Sequence, residues 1–135
     1  MTSISTENAP AVGRRRNISS GGAYENVFGY CRAVVMDNQV HVSGTCAPAG
    51  HEDSDAYTQA VAALAIIRQA LAQAGAQAAD VIRTVVYLKD IADADAVARA
   101  HLEMFDSVRP ASTLVQVVSM IRPWQRVEIE AYAIV

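Results

Sequence analysis

Little in this chain invites a metal or a cofactor. Its two cysteines, Cys31 and Cys46, and its three histidines, His41, His51 and His101, show no metal-ligand spacing. No glycine-rich phosphate loop and no Ser-His-Asp set can be assigned. Neither a metal nor a cofactor is expected. No window approaches the roughly 18 consecutive apolar residues of a membrane span, and "MTSISTENAP" has no apolar run of the signal-peptide kind. A soluble protein of a reducing cytoplasm is the expectation. Positive charge is also scarce. A formal net charge of -3 gives no general attraction to nucleic acid or to an anionic membrane. The triplet Arg14 to Arg16 is the local exception, and it reads as a solvated arm. Aromatic residues make up only 6% against 52% hydrophobic overall, so the core has to be built mainly from Val, Ile, Leu and Ala.

Residues 1–22 are polar, Ser/Gly-rich and without period, and read as an arm that lies on the surface or adds a short edge strand. Residues 23–135 form the single expected domain. "YCRAVVMDNQVHVSG" alternates and breaks at Asp37-Asn38, which suits a two-stranded hairpin. A helix is predicted from about Ser54 to Ala74, with Tyr57, Val61, Leu64, Ile67, Arg68 and Leu71 as its stripe and Gly75 as its stop. "DVIRTVVYLKD" is too β-branched and too short for a helix and reads as a central strand. Asp93 then caps a second helix whose stripe is Ala94, Val97, His101, Met104, Phe105 and Val108. Two strands close the chain, Thr113 to Val118 and Arg126 to Val135, parted by the Pro123 loop.

The order is α+β, a mixed sheet with two helices on one face. In "RVEIEAYAIV" the side bearing Val127, Ile129, Ala131 and Ala133 suits a core. The other side, Glu128, Glu130, Tyr132 and Ile134, is too mixed for open solvent or for a sealed interior. A homo-oligomer that covers this second face and leaves pockets for a small-molecule metabolite at its seams fits the pattern.

"VSG" at Val42 to Gly44, "VIRTVVYLKDI" at Val81 to Ile91, "RPASTLVQV" at Arg109 to Val117 and "VEIEAYAIV" at Val127 to Val135 together resemble the reactive intermediate deaminase family, also called the YjgF/UK114 family. The resemblance runs from about Tyr30 to the C-terminus and implies a chorismate-mutase-like subunit in a homotrimer with clefts between subunits. It further implies hydrolysis of 2-imino acids to 2-keto acids and ammonia, an arginine holding the carboxylate and a glutamate positioning water. Carried over residue by residue, the glutamate falls on Glu128 and a cleft tyrosine, offered by the neighbouring subunit, on Tyr30. The arginine position falls on Ser112.

That departure changes the expected chemistry. Losing one partner of a desolvated ion pair costs about 2–5 kcal/mol, and a serine donor to an anion recovers roughly 1.5–3 kcal/mol at best. Small 2-imino acids are therefore disfavoured substrates. Arg32 lies two residues after Tyr30, on the same side of a strand, and is a candidate ligand-binding residue or an inter-subunit partner of Glu128. Arg109 can approach the same end, although a helix C-terminus explains it as well. Ser112 and Thr113 are candidate ligand-binding donors and Glu128 is the candidate catalytic residue. Cys46 faces the same region without a visible base to activate it. Three functions follow: a hydrolase acting on C=N bonds with Glu128 handling water, a non-catalytic metabolite-binding trimer, and an endoribonuclease or translation inhibitor. The last has only the arginine arm in its favour.

Overall fold

Alternation, tight turns and small residues position every element of the sheet. The computed structural model describes residues 14–135. Of the expected arm, residues 1–13 lie outside the described residues, and Arg15–Ile18 forms an edge strand, β1. A short helix, α1 (Ala23–Phe28), follows and stops at Gly29, whose φ of 86° is the left-handed conformation that glycine adopts without penalty. This helix is absent from the sequence reading, because six residues with Gly22 at the N-cap show no helical period.

The hairpin forms as expected from β2 (Ala33–Met36) and β3 (Gln39–Thr45), and Asp37 takes the left-handed turn position with φ 54°. Next come α2 (Ala56–Gln73), β4 (Val81–Leu88), α3 (Ala94–Phe105), β5 (Ala111–Gln116) and β6 (Val127–Ile134). The six strands order as β1-β2-β3-β6-β4-β5. All pairs are antiparallel except β4 with β5. A register shift between Val42 and Thr45 marks a bulge in β3, which re-aims the side chains beyond it.

One sheet face packs on α2 and α3. Val127, Ile129, Ala131 and Ala133 of β6 are all buried there with Val86, Leu88, Leu64, Ile67 and Phe105. The buried side of α2 differs from the predicted stripe, for Val61 and Arg68 are exposed while Gln59, Ala60, Ala63 and Ala70 are buried. The helix turns its alanines inward because they let its backbone sit close to a sheet that offers Ala131 and Ala133. Asp55 caps this helix by accepting from Thr58 N at 2.8 Å. At the second helix Asp93 makes no capping hydrogen bond, since its carboxylate pairs with Arg126 at 3.2 Å. Asp90 instead accepts from Ala92 N at 2.9 Å, capping the single turn before it.

Candidate functional site

The uncovered face of the sheet carries two carboxylates from one strand, and their surroundings separate them. Glu130 lies mid-strand, opposite Val85, and receives two phenols: Tyr87 donates to Oε1 at 2.8 Å and Tyr132 to Oε2. The Glu130 bond, with burial, pushes the Tyr87 phenol up to about 12. Both Glu130 oxygens are thus engaged in holding tyrosines. Glu128, opposite Tyr87, has one donor among the described residues, the Cys46 thiol, whose Sγ is 3.6 Å from Oε1. It makes no ion pair there either, which leaves lone pairs for a water or a ligand.

Gly44 is why Glu128 can stand where it does. A Cβ placed on Gly44 would lie 2.0 Å from Oε2 and 3.0 Å from Cδ of Glu128, so the missing side chain is a notch that the carboxylate fills. Gly44→Ala is expected to destabilise the fold by about 1–3 kcal/mol through overpacking. Glu128→Ala in the same chain should remove most of that penalty in urea unfolding. Equal penalties with and without Glu128 would show that the notch is not the cause.

Cys46 supplies the donor and stays protonated. Desolvation, followed by the charge and hydrogen bond of Glu128, pushes its thiol up to about 12. A group that holds its proton this tightly is no thiolate nucleophile at neutral pH.

Tyr30 and Arg32 come together on the far side of the same bulge. Arg32 is only 7% exposed, and its Nη1 donates to Gly44 O and Thr45 Oγ1, both at 2.8 Å. Its Nη2 donates to the Tyr30 hydroxyl at 2.8 Å. These acceptors are neutral, and among the described residues Arg32 has no carboxylate partner while its Nε is buried without any. The guanidinium thereby clamps the bulge that shapes the Gly44 notch. Tyr30 also contacts Tyr24 and Phe28 of α1, with ring centroids 6.4 Å and 5.8 Å away.

The edge strand β5 sends its two candidates to opposite faces. Ser112 pairs with Thr84 on the helix-covered side, where Thr84 Oγ1 donates to its hydroxyl at 2.7 Å. Thr113 pairs with Val85 on the Glu130 side and accepts from Arg83 Nη2 at 2.9 Å. Within one subunit, Ser112 and Glu128 are on different sides of the sheet. Arg109 stays local, donating from Nε to Asp106 O at 2.8 Å and pairing with the Asp106 carboxylate.

Two cavities, of about 640 Å³ beside Trp124 and Lys89 and about 280 Å³ beside Tyr132 and Arg83, are not lined by Glu128. Glu128 is half-buried in the single subunit, as are Tyr87, Glu130 and Tyr132 on the same face. Sequence reasoning placed Glu128 but missed Gly44 as its seat and Cys46 as its donor. The "VSG" motif was the available signal, since glycine inside a strand often marks a bulge or a close approach. Among the described residues, no group of three or more possible metal ligands occurs and no helix is long and apolar enough to cross a membrane.

The endoribonuclease L-PSP family model matches residues 22–135. An uncharacterized protein of Streptomyces coelicolor is 43% identical over 122 residues, covering 87% of this chain and 91% of that one. The goat 2-iminobutanoate/2-iminopropanoate deaminase is 33% identical over 124 residues, covering 89% of this chain and 90% of the enzyme. Among solved structures, a Mycobacterium tuberculosis member of the YjgF/YER057c/UK114 family superposes with a TM-score of 0.85 at 40% identity, over 90% of this chain and 99% of that one.

Proposed function

Since this chain belongs to the endoribonuclease L-PSP family, also known as the YjgF family, we propose that it is a deaminase-type hydrolase acting on C=N bonds of small metabolites, with Glu128 handling the water. The observation that supports this reading most is the state of Glu128: seated in the Gly44 notch, given one weak donor by a protonated thiol, and without an ion pair among the described residues. Such a carboxylate can take a proton from water as it adds to the imine carbon. The same group can return that proton to nitrogen to give the carbinolamine, and then carry the hydroxyl proton to nitrogen as the carbonyl forms and ammonia leaves.

Glu128 is half-buried and lines neither cavity of the single subunit, so walls from another chain are called for, and a homotrimer in which the uncovered face and the β5 edge meet a second copy supplies them. In this reading Tyr30, Ser112 and Thr113 contact the ligand at that seam, while Arg32 acts through the bulge it clamps. Among the described residues the nearby guanidinium of Arg32 is engaged by Gly44 O, Thr45 and Tyr30, and Ser112 stands at the arginine position of the family, so the substrate class is an imine or enamine less anionic than a 2-imino acid. RNA cleavage has less support. Arg14 pairs with Asp37 at 3.3 Å and Arg16 Nη1 donates to Gln73 O at 3.2 Å, so the basic arm is partly engaged within the subunit.

The test is turnover on a panel of imines, generated by amine and amino acid oxidases, with semicarbazide trapping whatever is not hydrolysed. Neutral imines should be hydrolysed at least about tenfold faster than 2-iminobutanoate, the equivalent of about 1.4 kcal/mol. Absence of turnover across the panel, or a preference for the anionic imines, would overturn the reading.

A further inference from the structure

Aromatic residues are scarce in this chain, yet Tyr24, Phe28 and Tyr30 gather at α1 and its end. Tyr24 and Phe28, one helical turn apart, stack with centroids 6.0 Å apart and planes 20° from parallel. Phe28 meets Tyr30 edge-on at 5.8 Å and 61°. Burial does not account for this cluster. Tyr24, with Arg122 6.0 Å from its ring, is 36% exposed, whereas Phe28 is 72% exposed. Most of the Phe28 ring is therefore uncovered beside a half-buried Tyr30.

Six residues are too few for a helix that is stable alone, and this one is held from its buried side. The Glu25 carboxylate, buried there, accepts from Ser19 Oγ at 2.8 Å, Ser20 Oγ at 2.7 Å and Ser20 N at 3.0 Å. Its carbonyl oxygen accepts from Gly29 N at 2.9 Å and Tyr30 N at 3.1 Å, which ties Tyr30 to the helix. Rings fixed in this way lose little freedom when a ligand meets them. A continuous line of contacts also joins them to Glu128. Arg32 donates from Nη2 to the Tyr30 hydroxyl and from Nη1 to Gly44 O, and Gly44 is the notch that seats Glu128. The rings and the carboxylate flank one bulge of one subunit.

We propose that Phe28, backed by Tyr24 and flanked by Tyr30, is a specificity shelf of the Glu128 site that receives an aryl group of the substrate, so that the preferred imine is a neutral arylalkyl one. The chemistry rests on the Glu128 reading, to which the shelf adds the substituent. A third ring can lie offset over Phe28 while meeting Tyr30 at an angle, the two arrangements that aromatic pairs prefer. The one ionisable group on α1 is Glu25, and the two serines engage its carboxylate, so the shelf presents no charge that would repel or demand a charged ligand. Size favours a substituent over a protein partner. A stable interface takes roughly 20–30 residues a side, and α1 exposes three large hydrophobic residues, Tyr24, Val27 and Phe28. The shelf binds and orients, and no bond is made or broken on it.

Two neutral amides, 2-phenylacetamide and propanamide, probe the shelf separately from turnover, in ligand-observed NMR titrations of the full-length protein. The phenyl compound should bind about tenfold more tightly to the wild type, and Phe28→Ala should bring the two within about twofold. Phe28→Trp keeps a ring and should keep the difference. In turnover, Phe28→Ala should lower kcat/KM for phenylmethanimine, made from benzylamine by an amine oxidase, about tenfold more than for butan-1-imine, with the loss mainly in KM. Thermal midpoint and native mass should match the wild type, because the ring is exposed. Equal affinities for the two amides in the wild type, or an unchanged preference in Phe28→Ala, would overturn the shelf. So would a lower native mass in Phe28→Ala, which would assign the ring to a contact between copies. Phe28-dependent binding of 2-phenylacetamide without turnover of any imine would instead sink the hydrolase reading and leave the shelf standing.

Discussion

Glu128→Gln is expected to slow imine hydrolysis by about 10²–10⁴-fold, the usual contribution of a positioned general base. The amide has the shape of the carboxylate, so it fits the Gly44 notch and its oxygen can still accept from the Cys46 thiol 3.6 Å away. It cannot accept a proton from water at neutral pH. The loss should therefore appear in kcat, with KM and the thermal midpoint close to wild type. Glu128→Asp provides the control on position, because a side chain one methylene shorter withdraws the carboxylate from the notch while keeping its basicity. A Gln variant with undiminished kcat, or one that changes KM alone, would remove Glu128 from the chemistry and leave it a binding or structural group.

Gln59→Leu should cost about 3–5 kcal/mol of stability, more than most single substitutions. Gln59 is 0% exposed and ties three segments together. Its Nε2 donates to His51 O at 3.2 Å, Ser54 O at 3.3 Å and Trp124 O at 3.1 Å, and its Oε1 accepts from Arg126 N at 2.9 Å. Leucine fills the volume but strands polar backbone groups, each costing about 1–3 kcal/mol when no other partner replaces the amide. His51 O keeps one partner, Ser54 N at 3.0 Å, which holds the total below the full sum. Arg126 immediately precedes β6, so the same substitution should increase amide exchange at Arg126 and loosen the strand that carries Glu128. Chemical denaturation reads the first effect and hydrogen exchange the second. A loss under about 1 kcal/mol would mean that the loops are held by other contacts.

The strands and the two long helices were legible in the residues because each rests on a local rule. Period two marks β6, β-branched density marks β4, and Asp37-Asn38 marks the hairpin turn. Strand alternation alone also put Glu128 on the face away from the core. The side that α2 buries was misread because its larger residues, Val61 and Arg68, suggested one stripe while the alanines of the sheet selected another.

The site required contacts that no local period describes. Glu128 meets Gly44 and Cys46 because β3 and β6 are neighbours and a bulge between Val42 and Thr45 turns the chain there. The same bulge lets a buried Arg32 bond Gly44 O instead of a carboxylate, and only the parallel register of β4 with β5 puts Ser112 beside Thr84, under His101 of α3. Local chemistry in the chain thus decides which residues can form strands and helices and which way they face. Sheet register and helix packing decide which distant side chains share a hydrogen bond, because those distances depend on how whole elements dock.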